Sequence, residues 1–274
     1  MRIIVPIKQV PETTAVKMDE ATGTMIREGV EGIINPLDLY AIEAAILLRE
    51  QYGGEVIALS MGPAKAATAL KEAIAMGIDR AVLLSHRAFA GSDTWATSFA
   101  LATAIRKMGT DIPDGDDYSF DLILCGERAT DGDTGQVGPG IASFLNLPVA
   151  SYVSKIEAVE GRICRVRRLV EEGYEILEVR MPAVLTVVKE AANPRLPTLR
   201  GKQKAKKADI PIWGPDELQI PSDKIGLKGS PTRVVKIFHP KITRQGQKIP
   251  AGDEQAISSA VDQLIQFLRQ KDLV

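Results

Sequence analysis

Short β-branched apolar runs alternate with helix-forming segments through the first half of the chain, and this alternation constrains the fold more than any other feature. Arg2–Ile7 is such a run, ends at a lysine, and reads as a buried strand. Asn35-Pro36-Leu37-Asp38 then starts a helix. Asn35 can accept from first-turn amides, Pro36 suits the first helical position, and Asp38 faces the positive end of the dipole. Apolar residues recur at Ile42, Ala45 and Ile46, and Gly53-Gly54 ends the helix. The unit repeats. Glu55–Ser60 is a strand and Pro63–Met76 a helix stopped by Gly77. Arg80–Leu84 is a strand and Asp93–Lys107 a helix. Phe120–Cys125 is a strand, followed by a Gly/Asp-rich loop and a helix over about Gln136–Leu145. Strands and helices in this order imply right-handed βαβ units, hence a doubly wound α/β fold whose parallel sheet is covered on both faces.

The pattern changes after Pro148. Ile156–Ala158, Ile163–Arg168, Tyr174–Val179 and Ala183–Val188 read as strands joined by short turns, a β-rich antiparallel extension over 150–190. Val16–Arg27 reads as a hairpin-like excursion. The stretch 191–207 is basic and poor in apolar residues, and Pro211–Pro231 reads as an extended connector. Asp253–Leu273 is an amphipathic helix with apolar Ile257, Val261, Leu264, Ile265 and Leu268. The expected organisation is an α/β domain over 1–230 and a C-terminal arm over 231–274 whose helix packs on a partner.

Composition narrows the function classes. Lys plus Arg is 34 and Asp plus Glu is 35, a net charge of -1, which disfavours a broadly basic nucleic-acid binder. Two cysteines, Cys125 and Cys164, form no metal spacing, and two histidines, His86 and His239, have no companion motif. No metal centre and no catalytic side-chain set is expected. Chemistry would have to be carried by a bound cofactor. No segment is apolar for the ~18 residues of a membrane span, and the N-terminal run is too short for a signal core, so a cytoplasmic protein is expected.

A parallel sheet binds ligands beyond the carboxyl ends of its strands. Four loops lie there: Lys8–Thr13 with the Asn35-Pro36 turn, Ser60–Pro63, Ser85–Thr97 and Gly126–Pro139. The last is the most informative. Its glycines permit close backbone approach and its amides lead into a helix, which suits a pyrophosphate or ribose phosphate. Asp131 and Asp133 argue against phosphate touching their side chains and are expected to cap amides or bond ribose hydroxyls. A capped, solvated loop has the same composition. Neither a GxGxxG nor a P-loop fingerprint is present. Thr94 and Thr97 share a helix face and can meet a polar heterocycle, although capping by Ser92 or Asp93 explains most of that segment.

Together these motifs resemble the β subunit of electron-transfer flavoproteins over nearly the whole chain. Val5-Pro6-Ile7-Lys8-Gln9-Val10-Pro11, Asn35–Asp38, Ser60-Met61-Gly62-Pro63 and Gly126–Pro139 match in order. The most specific element is Val166-Arg167-Arg168-Leu169-Val170-Glu171-Glu172-Gly173-Tyr174-Glu175, continuing to Met181–Thr186. The resemblance implies a heterodimer with an α subunit that carries its own FAD. It carries over to an adenine nucleotide Pro6, Asn35, Pro36, Leu37, Asp38 and Met61. It also carries over Gly126, Glu127, Arg128, Ala129, Thr130, Asp131, Gly132, Asp133, Thr134, Gly135, Gln136 and Val137.

One branch of the family holds structural AMP and shuttles single electrons from acyl-CoA-type dehydrogenases. The other holds FAD, takes hydride from NADH and bifurcates the electrons between the α-subunit flavin and a low-potential ferredoxin- or flavodoxin-type acceptor. Asp131–Pro139 and Asp93–Thr97 resemble the second pattern, in which Asp93, Thr94 and Thr97 lie beside the flavin ring. AMP remains the alternative. A non-redox nucleotide-binding module is disfavoured by the Val166–Thr186 signature. The resemblance also leaves room for quinone oxidoreductase subunits. It places Leu199 in a recognition loop, where an exposed leucine anchors a dehydrogenase, with Lys202, Lys204, Lys206 and Lys207 nearby.

Overall fold

In the computed structural model, which describes residues 1–12, 32–110, 120–235, 246 and 248–273, the chain divides into units Met1–Val235 and Lys236–Val274. The first is built on a nine-stranded sheet. Its centre is β1 (Arg2–Pro6), where Ile3 and Val5 point to one face and Ile4 to the other, all buried. A strand covered on both faces has no solvent side, so its sequence reads as an unbroken apolar run. On one side of β1 lie β4 (Glu55–Met61), β5 (Arg80–Leu84) and the edge strand β11 (Ile212–Trp213). On the other lie β6 (Leu122–Gly126), β10 (Ala183–Val187) and β7 (Val149–Glu160). All these pairings are parallel. The strand order reverses between β1 and β6. A small antiparallel pair, β2 (Gln9–Pro11) with β3 (Gly32–Ile34), stands beyond the end of β1.

Helices cover both faces. The cluster holding Ile3 and Val5 includes α1 (Asp38–Tyr52) and α2 (Ala67–Met76). The cluster holding Ile4 includes α3 (Thr94–Thr110) and α4 (Val137–Leu145). The doubly wound reading of the sequence holds.

Three segments differ from expectation. Ala183–Val188 is not the last strand of the antiparallel extension; β10 lies inside the main sheet, parallel to β6 and β7. Its five residues are all buried, the pattern of a strand covered on both faces. The antiparallel extension of the main sheet is β7, β8 (Ile163–Val170) and β9 (Gly173–Arg180), with Cys164, Val166 and Val179 turned inward. The 211–231 segment is no simple connector. It supplies β11 and the short helices α6 (Pro215–Leu218) and α7 (Gly226–Gly229), and buries Leu218, Ile220 and Ile225. Within 191–207, residues Leu199–Lys207 form α5, which starts at the Thr198 side chain accepting from the Gly201 amide. Lys, Gln and Ala favour helix, and Ala205 turns into the core. A polar run needs only one buried face to be helical.

The second unit contains α8 (Glu254–Gln270), capped by Asp253 accepting from the Ala256 amide. Among the described residues that unit has no other helix or strand on which its apolar stripe packs. No helix among the described residues is long and apolar enough to cross a membrane. The expected Val16–Arg27 hairpin lies outside the described residues.

Candidate functional site

The point where the strand order reverses opens into a cleft of about 910 Å³ beyond the carboxyl ends of β1, β4, β5 and β6. Such a volume is at the upper end for small-molecule and cofactor sites. Asp38, Thr94 and Val137, the first residues of α1, α3 and α4, all line it. Three positive helix ends therefore converge on one cavity, and neither α1 nor α4 is capped by a side chain.

Sequence-predicted residues sort into two groups. Pro6, Asp38, Met61, Asp93, Thr94, Thr97, Gly126, Glu127, Arg128, Ala129, Asp131, Gly132, Thr134, Gly135, Gln136 and Val137 line the cleft. Asn35, Pro36, Leu37, Thr130 and Asp133 do not.

Asn35 is buried at the junction behind the loop and does not cap α1. Its Nδ2 donates to Asp38 Oδ1 at 2.9 Å and to the Arg128 carbonyl at 2.9 Å. Its Oδ1 accepts from the Thr130 amide at 3.1 Å. The loop amides compete for it more effectively than the first turn of α1, because the loop after β6 passes directly over α1. Gly126 allows that passage: a Cβ there would lie 2.4 Å from Asp38 Oδ1 and 2.9 Å from the Leu37 carbonyl.

The loop aspartates are ion-paired, not amide caps. Lys8 Nζ reaches Asp131 Oδ1 at 2.6 Å, and Arg128 Nε reaches Asp133 Oδ1 at 3.0 Å. Each of these carboxylates holds a cation beside the cleft. The backbone then turns through positive φ at Asp133 and Gly135. Thr94 donates to Gln136 Oε1 at 2.8 Å and so ties α3 to the end of the loop. Asp93 caps α3 by accepting from Ala96 and also accepts from the Thr232 amide and hydroxyl. It fixes the chain that brings Val234 to the cleft.

The cleft is also lined by Lys8, Gln9, Lys65, His86, Arg87, Phe89 and Ser92, which the sequence does not mark as ligand contacts. Most lie on the strand-end loops already located from the sequence. The sequence places the loops but not which of their side chains turn inward.

Asp38 is the most perturbed acid in the cleft. Burial, opposed by bonds from Asn35 and the Lys8 amide, raises its carboxyl from 3.8 to about 7. A group whose folded pKa is raised stabilises the fold below its unfolded pKa and loses that contribution as pH rises through the folded one. The nucleotide-free protein is therefore expected to lose up to about 4 kcal/mol of stability between pH 4 and pH 7 from this group. The lowered carboxyls of Glu50, Asp93 and Glu217 act in the opposite sense, their contributions being lost as pH falls from the ordinary carboxylate range toward more acid values. Denaturant unfolding across pH 4–8, beside Asp38→Asn, reads this out. A wild-type curve as flat as that of the variant would show Asp38 to be ionised throughout.

Away from the cleft, the start of the 191–207 stretch is held rigidly. Arg195 forks onto buried Glu43 and onto Glu50 of α1, with bonds of 2.6–3.0 Å, and its amide also donates to Glu43. Beyond this anchor Leu196 and Leu199 are 85% and 83% exposed. Leu199 therefore does not belong to the core.

Comparison with known proteins fits this geometry. Residues 22–218 match the electron transfer flavoprotein domain. The chain belongs to the electron-transfer flavoprotein family, on its β-subunit side. It is 46% identical over 265 residues to the electron transfer flavoprotein subunit beta of Thermoanaerobacterium thermosaccharolyticum, covering 96% of this chain and 98% of that protein. It is 42% identical over the full length of both chains to the caffeyl-CoA reductase-Etf complex subunit CarD of Acetobacterium woodii. It is 41% identical to the protein FixA of Azorhizobium caulinodans, over 100% of this chain and 96% of that one.

Proposed function

We propose that this electron-transfer flavoprotein β subunit holds FAD in the switch-point cleft, takes its electrons from NADH, and works as a heterodimer with an α subunit carrying a second FAD. The observation that carries this reading is the reach of the cleft. It runs from the Gly126–Val137 loop past Thr94 and Thr97 to Phe89 and Leu101. AMP, less than half the size of FAD, would leave that second half empty. The donor set fits the group. Three helix ends and the cations Lys8, Arg128 and Lys65 suit a diphosphate, and threonine hydroxyls on an apolar wall suit a polar flat ring.

FAD, when bound, supplies the two-electron to one-electron exchange that no side chain here can perform. The chain's own residues bind, orient and exclude water. Thr94, held by Gln136, fixes the wall of α3 against the loop. Lys8 and Arg128 supply positive charge, and Asp93 holds the chain that brings Val234 to the cleft. The acceptors follow from the branch the chain resembles: the α-subunit flavin and a low-potential ferredoxin- or flavodoxin-type protein. The 236–274 arm is assigned to the α subunit, because its one described helix has an apolar stripe and no partner element in its own unit.

Flavin stoichiometry tests the reading. The purified heterodimer is expected to release two FAD per αβ pair on denaturation. One FAD plus one AMP would instead identify the one-electron carrier fed by acyl-CoA-type dehydrogenases.

A further inference from the structure

We propose that Asn35 is a positioning residue, a clamp that sets the conformation of the 126–136 loop from behind. The proposal rests on reading the cleft as an adenine-nucleotide site.

Asn35 is 1% exposed and absent from the cleft wall, yet every part of its carboxamide is engaged. Both ends of its bonding span different segments. The Nδ2 bond to Asp38 fixes it to α1, and the bonds to the Arg128 carbonyl and Thr130 amide fix it to the loop after β6. Asp38 Oδ2 accepts from the Lys8 amide at 2.7 Å, which ties the same cluster to the chain leaving β1. Three segments that the fold brings together only at the switch point are thus joined through one side chain.

The chemistry specifies an amide. A flip would set the Asn35 oxygen against the Asp38 carboxylate and the Arg128 carbonyl, and its NH2 against the Thr130 amide donor. Serine lacks the second donor. Aspartate lacks both donors and adds a second carboxylate beside Asp38, in a pocket that Lys8, Asp131 and the buried Cys125 thiol also face. The loop could then still follow α1, but its register over the cleft would no longer be held. That register aims the backbone of Gly126–Arg128 and places Asp131 where Lys8 meets it.

The test uses the αβ heterodimer stripped of adenine nucleotide, with AMP as probe because it is the portion common to AMP and FAD. Asn35→Ala is expected to weaken AMP at least tenfold by calorimetry. The Thr130 amide should lose its protection from hydrogen exchange while the amides of Ile3–Val5 and Leu122–Leu124 keep theirs. Asn35→Asp should weaken AMP likewise, because it loses both Nδ2 donors and sets a second carboxylate beside Asp38, although it keeps an acceptor for the Thr130 amide. The double variant Asn35→Asp/Asp38→Asn exchanges donor and acceptor, restores the contact between the two side chains while keeping an oxygen for the Thr130 amide, and should recover part of the affinity. It serves as the comparison if the alanine variant fails to assemble. An unaltered Thr130 amide in Asn35→Ala, with AMP affinity unaltered in both Asn35→Ala and Asn35→Asp, would overturn the clamp. Wild-type protein that binds no AMP would instead overturn the nucleotide reading, while the Thr130 amide still decides the clamp.

Discussion

Alanine at position 126 is expected to strip the protein of its adenine nucleotide and to lower its unfolding temperature by several degrees. The added Cβ would stand 2.4 Å from Asp38 Oδ1 and 2.9 Å from the backbone of Leu37. Neither neighbour is the free end of a flexible chain. The Asp38 carboxylate is held by the Lys8 amide and Asn35, and Leu37 is the backbone entering α1. Overpacking of this kind costs about 1–3 kcal/mol, and each kcal/mol moves the melting temperature by roughly 2–4 °C in a domain near this size. The larger effect is on the cleft, because the loop can relieve the clash only by lifting away from α1, which breaks the Asn35 bonds. Gly132→Ala is the control. It stands in the same loop with no atom within 4 Å of its Cβ position, so its stability should stay within about 0.5 kcal/mol of wild type. Thermal unfolding and nucleotide content of the two variants decide the matter. Wild-type melting and full nucleotide in Gly126→Ala would mean that β6 and α1 can part without cost.

This contrast marks how far the sequence could be read. Strand–helix alternation was enough for the doubly wound sheet, since β1, β4, β5 and β6 are apolar runs each followed by a periodic helix. The strand order put the site at the carboxyl ends, and the Gly126–Val137 loop and Thr94 do meet there. What sequence could not distinguish was whether a polar residue near the site faces the ligand or the protein. Asn35 has the composition of a helix cap and the position of a nucleotide contact. Only the loop folded above it shows that its bonds run to Arg128 and Thr130. Asp131 and Asp133 look like amide caps until their counter-ions arrive, Lys8 from 123 residues away for Asp131 and Arg128 for Asp133. Pairings such as those of Asn35 and Lys8 depend on the tertiary approach of separate segments, and no local pattern encodes them. β10 is different, because its fully apolar run carried the mark of a central strand. The short turns on either side led it to be grouped with its antiparallel neighbours. In the same way α5 hid behind its charge, having Ala205 as its one buried contact.

Leu199→Ala is expected to slow electron exchange with the partner protein by about tenfold or more while leaving melting temperature and flavin content unchanged. Leu199 is 83% exposed at the start of α5, so truncating it removes little from the fold. Its neighbour Leu196 is 85% exposed, and the intervening Thr198 side chain is engaged in capping. Exposed leucines usually need no explanation, but these two follow an unusually firm anchor. Arg195 is forked onto two glutamates of α1, one of them buried, so the pair is presented by fixed backbone. A presented leucine entering a partner pocket contributes about 1.5–3 kcal/mol, and 1.4 kcal/mol corresponds to a tenfold change. The lysines of α5 add attraction for an acidic partner that salt screens, so they should affect the encounter rate and its salt dependence, and the leucine the lifetime of the complex. The two contributions separate experimentally. In Leu199→Ala the salt dependence of the second-order rate should match wild type while its absolute value falls. In Lys202→Ala/Lys206→Ala the slope against ionic strength should flatten. A Leu199→Ala protein that transfers electrons at the wild-type rate at every salt concentration would remove this surface from partner recognition. A lowered melting temperature would contradict the exposure on which the argument stands.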